Sequence, residues 1–331
     1  MTQTENTSYK DYIARIQALW QTPREVINQF VIETVEAKPI EYTRIMAGEA
    51  NEVYSVRLNN NTDIIVRISR DGDRTFTKEK WAMQQCEKIG VPVAKLYGIK
   101  KLDLKQDVIE LCSMEKLAGS PLRQLQRENN VSEEKTHEIL KIVGKMLRRI
   151  HTIPTHGFGN INGRGEGKAL TFARWVLKRT KHSENHGKTA KKHGIEEKSI
   201  IIILGELNKH EDLFTTISPH LVHGDVGTDH ILVDGDKVTG IIDWGGAKSA
   251  DAAYDFAWVH FFHEKKSAYN SLLEGYQTEQ SVDENFYLRM HLCKLALILD
   301  QLYYYDMTGF EPGIAIVQRN IQEELEYFKN S

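Results

Sequence analysis

Carboxylates and two histidines are concentrated in Leu221–Asp255, LVHGDVGTDHILVDGDKVTGIIDWGGAKSADAAYD. A carboxylate serves as a general base when it lies within hydrogen-bond reach of a hydroxyl. Carboxylate oxygens are also the ligands that hard cations such as Mg2+ prefer. Asp225, in His223-Gly224-Asp225, suits the first task. Asp243 suits the second: it follows the run Gly240-Ile241-Ile242, 18 residues after Asp225. Taken alone, a strand-end Asp would equally cap a turn. His230 is a softer donor, poorer for Mg2+ and better for Mn2+ or Zn2+. Three roles are open to it: a weak metal ligand, a holder of a metal-bound water, or a hydrogen-bond partner of the Asp225 loop. Asp255 is expected to tether that loop through backbone N–H groups. Asp251 either faces a substrate or caps the helix that follows.

These residues need elements to position them. Ile231–Val233 and Val238–Ile242 read as two strands of a hairpin, flanked by the Asp225 loop and the Asp243 loop. Residues 8–37 have helical apolar spacing. Val53–Leu58, the turn Asn59–Asn61 and Asp63–Ile68 read as strand, turn, strand. Residues 75–89 return to helix and stop at Gly90, with Pro92 just beyond. Val108–Met114 is a further strand. From Leu122 onward helices are expected at 133–152, 168–182, 195–217, 252–277, 283–306 and 311–329, interrupted only by the 221–243 strand pair. The lysine-rich stretch Lys178–Lys198 reads as a solvated helix pair or exposed loop rather than a basic lid.

The order His-x-Asp, a polar residue five positions on, then Asp resembles that of protein kinases, where the three supply base, first metal ligand and second metal ligand. His230 stands where that pattern has Asn. The resemblance implies a bilobal protein-kinase-like α+β fold, with a small β-rich N-lobe over residues 1–116 and a larger, mostly helical C-lobe over 117–331. A cleft would lie between them, joined near Glu115–Gly119. It further implies that Ala47–Tyr54, with Gly48 and Asn51, covers the nucleotide phosphates with backbone N–H groups; one Gly fits a plain hairpin as well. Arg67 takes the strand position usually held by a phosphate-binding Lys and keeps its charge. Glu79 would be its ion-pair partner, against the alternative of a surface Glu flanked by lysines. Met114, Glu115 and Leu117 would form the hinge that receives the base of ATP or GTP.

The closer resemblance is to the aminoglycoside phosphotransferase family. It rests on His223-Gly224-Asp225, Ile241-Ile242-Asp243-Trp244, Asp251 and Asp255, with Ile89–Val93 and Met114-Glu115-Lys116-Leu117 at matching spacing. Within that family, the hygromycin B type is similar in Asp225–His230, in Gly157-Phe158-Gly159, in Leu299-Asp300-Gln301-Leu302-Tyr303, and in having Arg at position 67. The macrolide type is similar in His230 and in Val238–Trp244. The implied function is ATP- or GTP-dependent, Mg2+-assisted transfer to a hydroxyl of an aminoglycoside or aminocyclitol antibiotic, conferring resistance. The alternatives are a macrolide or metabolic small-molecule kinase, and a nucleotide-binding pseudokinase. Asp229, Asp251, Asp300 and Asp306 are expected to attract a cationic acceptor.

Whole-chain properties agree. The 331 residues are 27% charged with a formal net charge of −3, so nucleic-acid binding has no compositional support. The longest aliphatic run, Ile200–Leu204, is too short for a bilayer. No secretory signal is visible at the N-terminus. Three widely spaced cysteines, Cys86, Cys112 and Cys293, argue against a disulfide framework and for a reducing, cytoplasmic setting. A monomer is expected.

Overall fold

The structure is a computed structural model that describes residues 13–46, 48, 51–70, 75–104, 107–179, 183–262 and 266–330. The chain divides into two compact units. One comprises Met1–Ser120 with Ile231–Gly245, the other Pro121–His230 with Gly246–Ser331.

The first unit is built on five antiparallel strands in the order β1-β2-β3-β5-β4. They are β1 (Pro39–Ile45), β2 (Glu52–Leu58), β3 (Asp63–Ser69), β4 (Leu96–Leu104) and β5 (Asp107–Glu115). Alternation along β3 sorts its side chains by face. Ile64, Val66 and Ile68 join Ile27, Phe30 and Val31 of the helix Arg24–Val35 in one buried cluster. Ile65 instead packs against the second cluster, Phe76, Ala94, Cys112 and Met114. Arg67 shares that parity. The helix Phe76–Lys88 ends as its sequence implies, with Gly90 at φ +68° and the Val91 N–H returning to the Cys86 carbonyl.

β6 is the two-residue strand Ser120–Pro121, where the first stretch of this unit ends, and the hairpin β10 (Ile231–Asp234) and β11 (Lys237–Ile241) completes the unit. Ile241 N–H donates to the Pro92 carbonyl, and Thr239 Oγ1 donates to the Ala118 carbonyl. A Cβ on Gly240 would strike Leu117. These contacts place the hairpin with the first unit, whereas a single division after residue 116 puts it with the second.

The second unit is mainly helical: Glu133–Ile150, Phe172–Leu177, Ser183–Lys192, Glu197–Lys209, Ala253–Phe262, Lys266–Tyr276, Phe286–Thr308 and Glu311–Asn330. Glu133–Ile150 and Lys266–Tyr276 cross closely at two glycines. A Cβ on Gly144 would lie 2.1 Å from the Leu272 carbonyl oxygen, and one on Gly275 2.0 Å from that of Lys141. Four short strands lie among the helices in the order β8-β7-β12-β9: β7 (Phe158–Ile161), β8 (Gly167–Ala169), β9 (His220–Val222) and β12 (Lys248–Ala250). The helical reading of 168–182 is thus too long, and that of 252–277 is two helices. β4 is also absent from the sequence reading. Strands of three or four residues are too short to display a period. No described helix is long and apolar enough to cross a membrane.

Candidate active site

In the first unit, Arg67 occupies the middle of β3, paired with Val53 on one side and Cys112 on the other. Its guanidinium is buried and forked. NH1 donates to Glu79 Oε2 at 2.5 Å, and NH2 to Asp243 Oδ1 at 3.2 Å. Its carbon stands 5.2 Å from the Phe76 ring centroid. Glu79 is on the helix Phe76–Lys88 and is itself buried, so the ion-pair alternative is the arrangement present. Burial pushes its carboxyl up, Arg67 opposes that, and Asp243 adds to it. Lys78 donates to the Gly245 carbonyl at 2.5 Å, fastening the same helix to the segment after Asp243. Lys78 carries no signal in the sequence, because lysines on both sides of Glu79 look like a solvated face.

Asp243 follows β11 in the left-handed region, φ +61°, which Asp tolerates better than most residues. The next side chain, Trp244, is fully buried and its indole N–H donates to the Ile241 carbonyl. The backbone is therefore gripped on both sides of Asp243, while its carboxylate remains 41% exposed. A carboxylate with one oxygen on Arg67 and substantial exposure is a donor suited to a hard cation.

The remaining nucleotide-site candidates are also in this unit. Met114 and Glu115 end β5, where Glu115 N–H donates to the Lys95 carbonyl and its carboxylate accepts from Lys95 N–H. Leu117 is half-buried against the cluster containing Met114. The carbonyls of Gly48 and Asn51 both accept from the Gln17 amide. Residues 47, 49 and 50 of the expected phosphate loop lie outside the described residues.

In the second unit, Asp255 lies in the first turn of Ala253–Phe262 and is fully buried. It accepts from the N–H of His223 at 2.9 Å and of Gly224 at 2.6 Å. The loop tether expected of Asp255 is present. Burial would raise its pKa, but the hydrogen bonds it accepts, that of His151 first and that of the Gly224 N–H with it, outweigh burial and hold it below the ordinary Asp value. Gly224 has φ +75°, and a Cβ there would lie 2.1 Å from the Gly246 carbonyl oxygen, so the position admits little but glycine. Asp225 follows, its side chain 36% exposed. His230 Nδ1 lies 2.7 Å from the Asp225 carbonyl oxygen. That is the loop hydrogen bond named among its three possible roles.

The acidic residues expected to attract a substrate each hold a basic partner. Asp229 meets Arg123 at 3.2 Å. Asp251 is buried, accepts from Ala253 N–H at 2.7 Å as a cap does, and pairs with Arg289. Asp300 receives two hydrogen bonds from Arg179, and Asp306 receives Lys192 and His193. These pairings link residues far apart in the chain, which spacing cannot reveal.

Residues 41–285 match the sequence profile of the APH phosphotransferase enzyme family. The chain belongs to that family. Over 239 residues it is 21% identical to hygromycin-B 4-O-kinase of Escherichia coli. The match covers 71% of this chain and 66% of that kinase, just under two thirds of its length. The fold is similar to that of a thermostable mutant of aminoglycoside phosphotransferase APH(4)-Ia in ternary complex with ADP and hygromycin B, with a TM-score of 0.72 at 19% identity over 91% of this chain and 98% of the other. It is also similar to a fructosamine-3-kinase from Thermobifida fusca, described as putative, with a TM-score of 0.63 at 16% identity over 91% and 98% of the two chains. The fold is the kinase-like fold of the aminoglycoside phosphotransferases.

Proposed function

We propose that this protein transfers the γ-phosphoryl group of ATP, or of GTP, to a hydroxyl of an aminoglycoside or aminocyclitol antibiotic of the hygromycin B kind, and so confers resistance. The observation that carries the reading is the Arg67 fork. It joins Glu79 to Asp243, which lies 176 residues from Arg67 in the chain, and these are the residues a kinase assigns to phosphate and metal.

In this reading the acceptor oxygen bonds to the γ-phosphorus, the bond to the β–γ bridging oxygen breaks, and a nucleoside diphosphate leaves. Asp225 takes the hydroxyl proton. Arg67, steadied by Glu79, binds phosphate oxygens. Asp243 and His230 are the residues that would hold Mg2+, which when bound neutralises charge on the phosphates. Gly48 and Asn51 approach the phosphates, and Met114, Glu115 and Leu117 receive the base. Asp229 is the most exposed carboxylate of the acceptor set, ahead of Asp251 and Asp300. Three buried, free cysteines suit a cytoplasmic enzyme.

A second reading is a metabolic kinase with a less cationic acceptor. The internal pairing of Asp229, Asp251, Asp300 and Asp306 favours it, because a neutralised carboxylate attracts a cation weakly.

Purified protein should consume ATP with hygromycin B among a panel of aminoglycosides, a macrolide and neutral sugar alcohols. Asp225→Ala should abolish turnover and leave nucleotide binding intact. Turnover of a neutral polyol or macrolide alone would overturn the antibiotic assignment. Binding of nucleotide without transfer to any acceptor would overturn the enzyme.

A further inference from the structure

The Asp255 carboxylate that holds the His223-Gly224-Asp225 loop has a third donor. His151 Nε2 lies 3.0 Å from Asp255 Oδ2, with both side chains almost wholly excluded from solvent. His151 sits at the C-terminal end of the helix Glu133–Ile150, its own N–H returning to the Leu147 carbonyl. Its other ring nitrogen, Nδ1, lies 3.1 Å from the Tyr276 hydroxyl, and the two rings are 5.4 Å apart. Tyr276 ends the helix Lys266–Tyr276, packs edge-on against Phe256, and carries the Arg148 guanidinium over its face at 5.0 Å.

Donor and acceptor roles follow from chemistry. Asp255 is ionised and accepts only, so Nε2 of His151 carries the hydrogen. In the neutral ring Nδ1 then holds the lone pair, and the Tyr276 O–H donates to it. Burial pushes that phenol up to about 12, which keeps the proton on Tyr276 at neutral pH. Asp255 Oδ2 thus takes His151 and the His223 amide together, while Oδ1 takes the Gly224 amide. Without His151 the carboxylate would keep its two amides but lose the buried donor on Oδ2 that helps fix its terminal torsion, a broad and soft degree of freedom. The amides it aims belong to the two residues immediately before Asp225.

We propose that His151, oriented by Tyr276, is a positioning residue for phosphoryl transfer: it fixes the Asp255 carboxylate on the His223 and Gly224 amides and so sets the direction of Asp225. The inference rests on the reading of Asp225 as the group that orients the acceptor hydroxyl. His151 touches neither substrate nor nucleotide; it acts through Asp255.

The test compares His151→Leu with His151→Gln, whose amide N–H can reach where Nε2 does. Two readouts are taken: steady-state kinetics with the best acceptor, and backbone amide exchange over residues 222–226. His151→Leu should lower kcat on the order of a hundredfold, the scale expected for a misplaced catalytic group. Both KM values should stay within about twofold, and the His223 and Gly224 amides should exchange faster while distant helices do not. His151→Gln should recover most of kcat and of the protection. Unchanged kcat, a loss carried by KM, or no recovery with Gln would overturn the proposal. If the wild-type protein transfers phosphate to no acceptor, the function proposed above is what fails, and amide exchange alone decides whether His151 positions the loop. If His151→Leu does not fold, Tyr276→Phe, which keeps the ring in the core, takes its place with the same kinetic and exchange criteria.

Discussion

The imidazole of His230 donates its Nδ1 hydrogen to the main-chain carbonyl of Asp225 across 2.7 Å. A carbonyl oxygen can only accept, so the bond selects the tautomer. The lone pair of the neutral ring falls on Nε2, the nitrogen that would meet a cation. A kinase Asn offers an amide oxygen at this position instead. His230→Asn should therefore raise activity with Mg2+ relative to Mn2+, because oxygen suits the harder ion and imidazole the softer. The ratio of kcat/KM values in the two metals reads this directly, and an unchanged ratio removes His230 from the metal's ligands.

Arg67 offers a stability prediction. Arg67→Ala leaves Glu79 buried beside a half-exposed Asp243 with no cation between them. Breaking one partner of a buried pair costs about 3–5 kcal/mol, which should appear as an earlier urea midpoint. Arg67→Lys should cost less, yet its single ammonium cannot reproduce the planar fork to two carboxylates. Equal midpoints for Ala and wild type would show that the pair is not a stability element.

Gly224 should resist the smallest enlargement. At φ +75°, with the Gly246 oxygen in the place of a Cβ, Gly224→Ala must shift either the loop or residue 246. Strain of about 1–3 kcal/mol is expected, with kcat reduced on the order of a hundredfold by displacement of Asp225. Wild-type kcat in Gly224→Ala would show that the loop tolerates such a shift.

His260 gives a pH prediction. Burial, and secondarily the Lys294 ammonium 3.0 Å away, push its pKa down to about 4. The folded value lies below the unfolded one, near 6.5. Its contribution is therefore fully present above pH 6.5 and is lost as pH falls toward 4. The range is up to about 3 kcal/mol before solvent screening. His291, Glu323 and Glu324 face the same cluster and stay ordinary partners in a His260→Gln variant. That variant should show a flatter thermal midpoint between pH 7 and 5 than wild type. Parallel curves would mean that His260 does not control this window.

The residues with most to say in the sequence were those whose chemistry is local. His223-Gly224-Asp225 and Ile241-Ile242-Asp243-Trp244 are legible because residue type and spacing within one short stretch carry the resemblance to kinases. The β2–β3 pair was legible through its Asn-rich turn and alternating Val and Ile. The short strands β7, β8, β9 and β12 were not, since three or four residues show no period, and the contacts they make, such as Ser249 of β12 with Thr155, join residues 94 apart in the chain. His151 is silent in the sequence for a related reason. It looks like the last turn of an amphipathic helix, and only its 104-residue separation from Asp255, closed by the fold, gives it a role. The acidic acceptor set looked available because the arginines that hold it, Arg179 and Arg289, lie 121 and 38 residues from their partners.

The placement of the Ile231–Gly245 hairpin with the first unit means that three peptide junctions, at 120/121, 230/231 and 245/246, join the two units. Cutting the chain at residue 120 would therefore not yield the first unit. It would yield a sheet stripped of the segment that covers Leu117 and that bears the second carboxylate of Arg67. Dissection of this protein into working halves calls for a graft of the hairpin onto the fragment, not a truncation.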